Sequence, residues 1–386
     1  VLVVRARSGY FVSGRSRRRP DWQAYVAGSR YKITAKNIYF SSGNRMADFG
    51  LGPEFELTPY LERNIRVNIT SRNSKYGLEP LRQSVAKHLY SNYGIDVPAD
   101  NVLIAPRIME LINQIYLSFI GRRTCFFYEQ SSLTNAAVPV QDIGMQAVRI
   151  PMDDNGMSVA ELDKRLFRCE NPVIQVNPTC HAPTGIVMSK SRRADILKVA
   201  AKYRAPVIEL APLQQIGNFP PPIKSMDTEG NVIYVGGCVK SHPIEIPVSW
   251  VVADRSVIEY LSNILHQMGV KVDTLQQIIL NEILESGDYE AITQAMRSYI
   301  EYRRKFTLDL LNAHLAGKAR WVEKNCLFHF WVELYHPDTS KAVNIPNIYP
   351  GYFFDKDDNS HISFCPPAHS EAEIEATIIN LSKLAL

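Results

Sequence analysis

The sequence predicts an α/β protein in which helices cover both faces of a mostly parallel central sheet, with a smaller α+β domain attached. Three observations predict this fold class. Short, continuous apolar runs alternate with helical patterns from about residue 75 to 265, as in parallel sheets buried on both faces. Long helical patterns dominate after about residue 255. The chain has 386 residues, 46% hydrophobic and 21% charged, which suits a globular protein of about two domains.

The predicted strands of the sheet are apolar runs bounded by turn residues. They cover residues 102–104, 125–128, 173–176, 206–209, 232–235 and 248–253. Helix patterns lie between them. Residues 80–93 carry leucine or valine at every fourth position and precede Gly94, and residues 108–120 are mostly apolar and precede Gly121. Ser189 can cap a helix that continues through Tyr203.

The last third of the chain predicts a different architecture. One long helix is expected over residues 288–315, followed by strands at 327–334 and 361–364 and a terminal helix from about residue 370. We therefore expect three parts in the chain. They are residues 1–30, a large α/β domain over 75–265, and a small α+β domain built from 31–74 and 266–386.

Residues 1–30 differ in composition from the rest. Apolar residues 1–4 and 10–12 flank a turn at Ser8-Gly9, which predicts a β-hairpin. Six arginines crowd the segment and suit either a solvated linker or the edge of a nucleic-acid-binding module, and the charge pattern leaves both open. Because an isolated hairpin is marginal in water and the first residue is Val1 rather than Met, we expect a piece of a longer chain.

Composition excludes several classes of protein. No run reaches the ~18 apolar residues of a membrane span, and no signal-peptide pattern is present. The net charge of +4, from 43 basic and 39 acidic residues, is too small to establish a nucleic-acid partner by itself. The six cysteines are scattered without a C-x-x-C pair, so we expect no zinc site, and reduced thiols in a cytoplasm.

Candidate site residues follow the predicted strands, because ligands of parallel α/β sheets bind at the carboxyl ends of the strands. The segments NPTCHAPTG (177–185), ELAP (209–212) and GGCVK (236–240) each lie at such an end. Here the chain resembles a known family. The PTG at 183–185 and the YRAPVIE at 203–209 resemble the fold-type I pyridoxal-phosphate aminotransferases.

The chain most resembles the regulator branch of these proteins, the MocR subfamily of GntR transcription factors. The strand at 232–236 followed by Lys240 is similar to the strand that leads to that family's cofactor lysine. Residues 40–43 and 77–82 match the start of its aminotransferase-like domain, and residues 7–12 look like the wing of a GntR winged helix. The resemblance runs in order through nearly the whole chain and implies a fold-type I, PLP-dependent transferase-like fold.

The resemblance also implies a site for pyridoxal 5'-phosphate (PLP). Such a site needs a lysine for the Schiff base, a carboxylate that keeps the pyridine nitrogen protonated, donors for the phosphate, and an aromatic ring that stacks on the cofactor. Lys240 matches the family lysine. The positions that depart from the family are Leu210 for the nitrogen-facing aspartate, Pro247 for a phosphate-contacting arginine, Gly237, Cys238 and Val239 for hydroxyl residues, Arg107 for a phosphate-turn glycine, Leu133 for the stacking tyrosine, Ala182 for the amide at the ring oxygen, and His361 for the substrate-carboxylate arginine.

These departures replace polar cofactor contacts by apolar or shorter groups. A leucine cannot hold a proton on the pyridine nitrogen, so we expect no transamination and at most weak binding of PLP through Lys240. Two alternatives stay open. One is an active PLP-dependent aminotransferase with relocated cofactor contacts. The other is a protein-interaction module whose former cleft is filled by Leu210, Leu133 and Met109.

Three cofactor-binding candidates result, and each has a structural alternative. Lys240 is the Schiff-base position, or else a strand-end lysine paired with Glu209 or Glu245. His181 lies in a site loop, where a lone histidine is more often structural. Arg107 can bind an anion or form a surface ion pair.

Several other residues are interpreted as structural rather than catalytic. Arg192 and Arg193 open a helix and are expected to be solvated or paired. Cys180 and Cys238 are interpreted as small buried side chains rather than as a redox pair. His329, in an apolar strand next to Phe330, is expected in the core.

The leading hypothesis is an aminotransferase-like effector and dimerisation domain of a MocR-type regulator. The resemblance implies a homodimer with the site at the subunit boundary, a small-molecule effector, and DNA binding through a winged helix that is largely absent from this chain. We expect a cytoplasmic protein without a membrane partner or a metal.

Overall fold

The computed structural model describes residues 2–5, 9–12, 55–64, 74–119, 123–132, 140, 144–238, 246–322, 329–335, 345, 347–355 and 357–384. The chain forms two compact units, residues 1–43 and residues 44–386. Within the described residues, no helix combines the length and the apolar character that a membrane crossing requires.

The first unit contains a two-stranded hairpin. Strand β1 (Leu2–Arg5) pairs antiparallel with strand β2 (Gly9–Val12) in the register Leu2 to Val12. The hairpin predicted from the apolar runs around Ser8-Gly9 is therefore confirmed. The arginines at 15–19 lie outside the described residues.

A seven-stranded sheet organises the second unit. Its strands are β3 (Val102–Ala105), β4 (Thr124–Glu129), β5 (Gln146–Ile150), β8 (Asn171–Val176), β9 (Val207–Leu210), β10 (Val232–Gly237) and β11 (Ser249–Val252), with a small hairpin of β6 (Met152–Asp153) and β7 (Gly156–Met157) beside it. The spatial order is β3-β11-β10-β9-β8-β4-β5. Neighbours from β10 to β5 are parallel, and β11 runs antiparallel to both of its neighbours. The predicted α/β class with a mostly parallel sheet is confirmed.

Nine helices of seven or more residues accompany the sheets among the described residues. They are α1 (Thr58–Asn64), α2 (Glu79–Tyr93), α3 (Ile108–Leu117), α4 (Val159–Leu166), α5 (Lys190–Tyr203), α6 (Arg255–Gln267), α7 (Thr274–Ser286), α8 (Asp288–Leu315) and α9 (Glu371–Leu384).

Local signals in the sequence explain where these helices begin and end. The side chain of Ser189 accepts a hydrogen bond from the Arg192 amide, as the cap prediction required. Gly94 ends α2 in the left-handed region at φ 68°, which glycine adopts without strain. Helix α3 ends at Leu117 rather than near residue 120, because the Ser118 amide closes the last turn onto carbonyls of the preceding turn.

Helices cover the two faces of the sheet, and alternate strand residues form separate cores. On β10, Ile233 and Val235 pack in a cluster with α3 and α6. Val232 packs in a cluster with α4 and α5 on the opposite face. Because the central strands are buried on both faces, they read as continuous apolar runs, and this is why the sequence revealed them.

The C-terminal part forms a four-stranded antiparallel sheet of β12 (Ala319–Trp321), β13 (Phe330–Leu334), β14 (Ile348–Pro350) and β15 (His361–Phe364), in the order β12-β13-β15-β14. Helices α8 and α9 pack on this sheet through leucines and isoleucines. Helix α8 has the bounds that the sequence predicted. The division of the chain near residues 75 and 266 stays a prediction.

The expectation that the cysteines are reduced is wrong, because Cys125, Cys169 and Cys180 are all disulfide-bonded. Cys125 and Cys169 form a disulfide with each other, with their Cα atoms 6.3 Å apart and a separation of 44 positions in sequence. Parallel pairing of β4 with β8 sets Cys125 opposite Pro172 and so brings the two cysteines together. Cys238 is a buried free thiol, and Cys365 is buried as well. Scattered sequence positions gave no sign of this pairing because it depends on strand neighbours.

Candidate functional site

The candidate site lies at the carboxyl ends of four neighbouring parallel strands. Strands β4, β8, β9 and β10 end at Glu129, Val176, Leu210 and Gly237, and they are adjacent in the sheet. The loops that follow these strands therefore meet at one edge. This is the edge at which α/β sheets bind ligands.

The end of β9 presents a leucine to this edge. Leu210 is half-buried and packs with the cluster that contains Ile208 and Val235. The preceding residue, Glu209, is fully buried on the other face, where its two carboxylate oxygens accept hydrogen bonds from the amides of Ile223 (2.7 Å) and Lys224 (2.8 Å). Because both oxygens are engaged there, Glu209 closes a structural turn and does not take the place of the missing aspartate.

Arg193 anchors the loop that follows β8. The side chain is completely buried, and its guanidinium donates to the carbonyl oxygens of Met188 (3.0 Å) and Pro178 (2.8 Å) and to Thr179 Oγ1 (2.9 Å). These bonds join both ends of the 177–189 segment to α5. The expectation that Arg193 is paired is confirmed, although its partners are mainly carbonyls. Arg192 forms an ion pair with Asp153 at 2.7 Å.

His181 is the centre of a buried polar cluster. Its Nδ1 is hydrogen bonded to Thr184 Oγ1 at 2.8 Å, and its Nε2 to Ser132 Oγ at 3.2 Å. The same Nε2 lies 3.6 Å from Glu129 Oε2, which accepts a hydrogen bond from the Asn177 amide at 2.8 Å. His181 thus links the end of β4 to the loop after β8. A ligand role for His181 stays a prediction.

The electrostatics of this cluster follow from its burial. Burial raises the pKa of Glu129 to about 8, against the opposing effect of the hydrogen bond from Asn177. Burial and the nearby His329 lower the pKa of His181 to about 3, and burial lowers the pKa of His329 to about 4. At neutral pH the pair is therefore a protonated carboxyl group beside a neutral imidazole, rather than an ion pair. His329 and Phe330 are buried, as predicted.

Glu129 carries an unsatisfied buried oxygen. Only 3% of the residue is exposed, and no described residue forms a hydrogen bond with its Oε1. Glu129 was not among the site residues predicted from the sequence. The signal was available, because a carboxylate ends an otherwise apolar strand at the ligand-binding edge.

The end of β10 is packed too tightly for side chains larger than glycine. A Cβ atom on Gly237 would lie 2.8 Å from Ser249 Cα, and one on Gly236 would lie 2.7 Å from Trp250 Nε1. Cys238 follows as a buried thiol whose pKa burial raises to about 12. Lys240 lies outside the described residues, as do Leu133, Val239 and Glu245, and so does the side chain of Met109.

The remaining predicted site residues fall at different places. Arg107 is exposed at the N-terminal cap of α3. Pro247 and Ala182 are half-buried and carry no group that binds a phosphate or a ring oxygen. His361 Nδ1 lies 3.0 Å from Asp358 Oδ1, and its ring stacks on Trp331 at 5.0 Å.

A cleft of about 500 Å³ opens between the large and small sheets, and we call it the acidic cleft. One wall is formed by the end of β4 and the loop that follows β8. The other wall is formed by the small sheet and the segment before β15. The described residues that line it are Gln130, Ser131, Met152, Asp153, Asp154, Thr184, Ile186, Arg320, Trp321, Val322, Trp331, Glu333, Asp355, Asp357, Asp358, Ser360 and His361.

Asp355 joins the two walls of the acidic cleft. It is buried, its Oδ1 lies 3.2 Å from Arg149 Nη1, and its Oδ2 accepts a hydrogen bond from Gln130 Nε2 at 2.6 Å. Burial favours a lower pKa for Arg149, but Tyr128 and the nearby aspartates outweigh it and raise the pKa. This contact was not predictable from the sequence, because it joins residues about two hundred positions apart.

Comparison with known proteins identifies the family. The family model for aminotransferase class I and II matches residues 61–378, which is most of the chain. The chain belongs to the aminotransferase class I and II family.

Curated relatives of this aminotransferase-family chain are regulators. It is 27% identical to the HTH-type transcriptional regulator YdfD of Bacillus subtilis over 330 residues, covering 82% of this chain and 68% of the relative. It is 26% identical to the HTH-type transcriptional regulator YisV of the same organism, covering 93% and 78%. The HTH-type transcriptional regulator NorG of Staphylococcus aureus is 23% identical, covering 76% and 68%. The resemblance to the MocR regulators is confirmed.

Solved structures show the same fold. Kynurenine aminotransferase from Pyrococcus horikoshii superposes with a TM-score of 0.82 at 20% identity, covering 95% of this chain and 98% of that one. The multiple substrate aminotransferase from Thermococcus profundus also gives 0.82, at 19% identity, covering 94% and 98%. The fold-type I assignment is confirmed.

The family fold implies PLP, and the described residues do not fit it. The pyridine nitrogen finds no carboxylate at Leu210, since Glu209 is engaged on the other face. Pro247 offers no donor to a phosphate, and the side chain of Ala182 offers none to the ring oxygen. The donor set that PLP requires is therefore incomplete in the part of the site that the structure describes.

Proposed function

We propose that this chain is the effector-binding and dimerisation domain of a MocR-type transcriptional regulator and that it does not catalyse transamination. One observation carries the proposal. The strand that should offer a carboxylate to the pyridine nitrogen ends in Leu210, and its only carboxylate, Glu209, is held on the opposite face by the amides of Ile223 and Lys224. Without a protonated pyridine nitrogen, the ring of PLP is a poor electron sink.

An open cleft beside the site supports a binding role. The structure has an open cleft of about 500 Å³ between the two sheets, in which polar residues outnumber apolar ones. The alternative of a pure interaction module concerns the former cofactor cleft at Leu210, Leu133 and Met109, of which only Leu210 has a described side chain. An open cleft between two lobes suits a small effector, and closure of the lobes around it would change their relative arrangement.

The regulator role is supported by the relatives, which are helix-turn-helix transcriptional regulators. In this proposal two copies associate, and effector binding alters how their DNA-binding modules are presented to DNA. The hairpin of residues 2–5 and 9–12 would be the wing of such a module. A cytoplasmic location follows from DNA binding.

The enzymatic part of the proposal is tested with PLP and an amino donor. Wild-type protein is incubated with PLP, its visible absorbance is recorded, and amino-group transfer to a keto acid is followed by a coupled assay. We expect no transfer, and we expect Lys240→Ala to behave like wild type. Transfer by wild type that Lys240→Ala abolishes would contradict the proposal and favour an aminotransferase with relocated contacts.

Leu210→Asp is the matched gain-of-function variant. It restores a carboxylate at the position that the family uses, so we expect tighter PLP binding than in wild type. Leu210→Asn has nearly the same size without the charge and serves as the control. If both variants and wild type bind PLP equally, the missing carboxylate is not what limits the site.

DNA binding is tested by gel shift with these 386 residues alone. A wing supplies phosphate contacts but little base readout, so we expect weak binding that does not depend on DNA sequence. Sequence-specific binding by this chain would contradict that expectation.

A further inference from the structure

Two cysteines that are bonded to each other lie within reach of solvent. Cys125 on β4 and Cys169, in the turn that follows α4, are both half-buried. The other described cysteines, Cys180, Cys238 and Cys365, are buried, with at most 2% of each residue exposed. Thiol–disulfide exchange requires that an attacking thiolate reaches a sulfur atom. The Cys125–Cys169 bond is therefore open to a reagent in solution, whereas the sulfur of Cys180 is not.

The expected compartment makes this disulfide informative. A regulator that binds DNA works in a cytoplasm, where glutathione keeps thiols reduced and where protein disulfides are usually transient, catalytic or redox-sensing. Structural disulfides are typical of small secreted domains that cannot build a sufficient core. This chain has 386 residues and a seven-stranded sheet, so its core does not require a covalent link. An accessible disulfide in such a protein indicates reversible chemistry.

Exposed arginines adjoin both cysteines along the chain. Arg123 precedes Cys125 by two residues, and Arg168 directly precedes Cys169, against one exposed acidic neighbour, Glu170. Exchange with glutathione passes through a thiolate and through a mixed disulfide with an anionic tripeptide. Positive charge beside the sulfur atoms favours both of these species.

The disulfide closes a span of the chain that contains much of one wall of the acidic cleft. Residues 126–168 lie between the two cysteines and supply five of the residues that line the cleft, namely Gln130, Ser131, Met152, Asp153 and Asp154. Closure of such a span restricts the conformations that it adopts when it opens locally. Reduction returns that freedom to the wall of the cleft in which the effector is proposed to bind.

A series of contacts leads from Cys169 to the opposite wall. The Cys169 amide donates a hydrogen bond to the Leu166 carbonyl oxygen at 3.0 Å, so the bonded cysteine holds the last turn of α4 against β4. In that turn, Arg165 Nη1 donates to the carbonyl oxygen of Arg149 at 2.7 Å. The guanidinium of Arg149 lies 3.2 Å from Asp355 Oδ1. The disulfide thus has a physical route to the contact that joins the two walls.

We propose that Cys125–Cys169 is a site of reversible thiol–disulfide exchange with a low-molecular-weight thiol of the glutathione class, and that its redox state sets how firmly the two walls of the acidic cleft are joined. In the oxidising direction the bond between the two cysteine sulfurs forms, the S–S bond of one glutathione disulfide breaks, and the two cysteine protons pass to the two glutathione thiolates released. Reduction reverses each of these changes. This inference rests on the proposed function, because it names a regulation of the effector cleft.

A redox titration of the full chain tests the exchange. The protein is equilibrated in mixtures of reduced and oxidised glutathione, free thiols are alkylated, and the peptides that contain Cys125 and Cys169 are quantified by mass spectrometry. We expect conversion from mainly disulfide to mainly dithiol as the mixture is shifted toward reduced glutathione, and recovery of the disulfide when the shift is reversed. A pair that stays bonded in reduced glutathione alone, or stays reduced in oxidised glutathione alone, overturns the inference.

Hydrogen exchange of the folded protein tests the effect on the cleft. Amides of β5 and of residues 351–355 should exchange roughly tenfold faster in the reduced wild type than in the oxidised wild type. Cys125→Ser/Cys169→Ser should exchange at the faster rate under both conditions, and it separates this bond from that of Cys180, which is also disulfide-bonded. Equal exchange in the reduced and oxidised wild type, or a redox response that persists in the double variant, overturns the inference.

Two neighbouring variants test the route through Arg165. Arg165→Gln removes the hydrogen bond to the Arg149 carbonyl oxygen. Lys164→Gln is the matched control, because both side chains form ion pairs with Glu161. The redox effect on exchange at residues 351–355 should disappear in Arg165→Gln and remain in Lys164→Gln. If both variants keep the effect, the route through Arg165 is overturned. None of these outcomes bears on transamination, which is tested separately by amino-group transfer.

Discussion

Glu129→Gln should change how the stability of the protein depends on pH. Burial raises the pKa of this carboxyl group to about 8, from 4.5 when it is exposed in the unfolded chain. Between these values the folded protein holds a proton that the unfolded chain has lost. The contribution of Glu129 to the free energy of unfolding is fully present below pH 4.5 and is lost as the pH rises to about 8.

The magnitude follows from the linkage relation. Each pH unit inside this window costs about 1.4 kcal/mol, so the wild type should lose roughly 2 kcal/mol of stability from Glu129 between pH 6 and 8. Glutamine has nearly the same shape and does not titrate. The stability of Glu129→Gln relative to wild type should therefore rise by roughly 2 kcal/mol over the same interval.

Urea denaturation followed by circular dichroism at pH 6, 7 and 8 measures this difference. His181 and His329 have lowered pKa values, so they destabilise the fold only as the pH falls below about 6.5. His181, His329 and the buried Glu209 are present in both the variant and the wild type. Their contributions therefore cancel in the difference in stability between the two proteins. Glu375→Gln, on the exposed side of α9, is the control for the same change of residue type at an exposed position. A constant difference for Glu129→Gln would refute the reasoning, because it would mean that Glu129 is ionised throughout.

Three further variants test packing and covalent links. Cys125→Ser/Cys169→Ser removes the disulfide that spans 44 positions and should lower the free energy of unfolding by about 4 kcal/mol. Urea denaturation of the variant and the wild type measures this difference, and an unchanged midpoint would contradict it. Gly237→Ala places a Cβ 2.8 Å from Ser249 Cα and should lower the free energy of unfolding by about 1–3 kcal/mol, which is measured as a lower melting temperature. A melting temperature equal to that of the wild type would show that β11 can shift to accommodate the methyl group without loss of stability. Arg193→Met removes hydrogen bonds to three buried acceptors and should cost at least ~3 kcal/mol in the same assay, and a loss below 1 kcal/mol would contradict the anchoring role.

The order of elements was predictable because the central strands are buried on both faces. Strands such as Asn171–Val176 therefore appear as unbroken apolar runs, and helices such as Lys190–Tyr203 begin at a capping serine. The strand β5 (Gln146–Ile150) was missed. It lies at the edge of the sheet and is mostly not fully buried, so it lacks the apolar run that marks the central strands.

The candidate site was predictable where it depends on position along one strand, and unpredictable where it depends on approach between distant segments. The exchange of an acidic residue for Leu210 is a property of the chain itself, and the resemblance to MocR regulators was enough to place it. The orientation of Glu209 away from the site edge was not predictable from the sequence, because it requires the turn at Ile223 and Lys224 to fold against β9.

The amino-acid sequence alone determined the α/β class, the order of most elements and the loss of the nitrogen-facing carboxylate, because each of these follows from local pattern or residue type. The tertiary structure alone decided the disulfide, the buried Glu129–His181 pair and the acidic cleft. Each of those joins residues from separate elements, and Asp355 reaches Arg149 only because the small sheet packs beside the large one. Burial then sets the pKa of Glu129, a property that no isolated segment of the chain possesses.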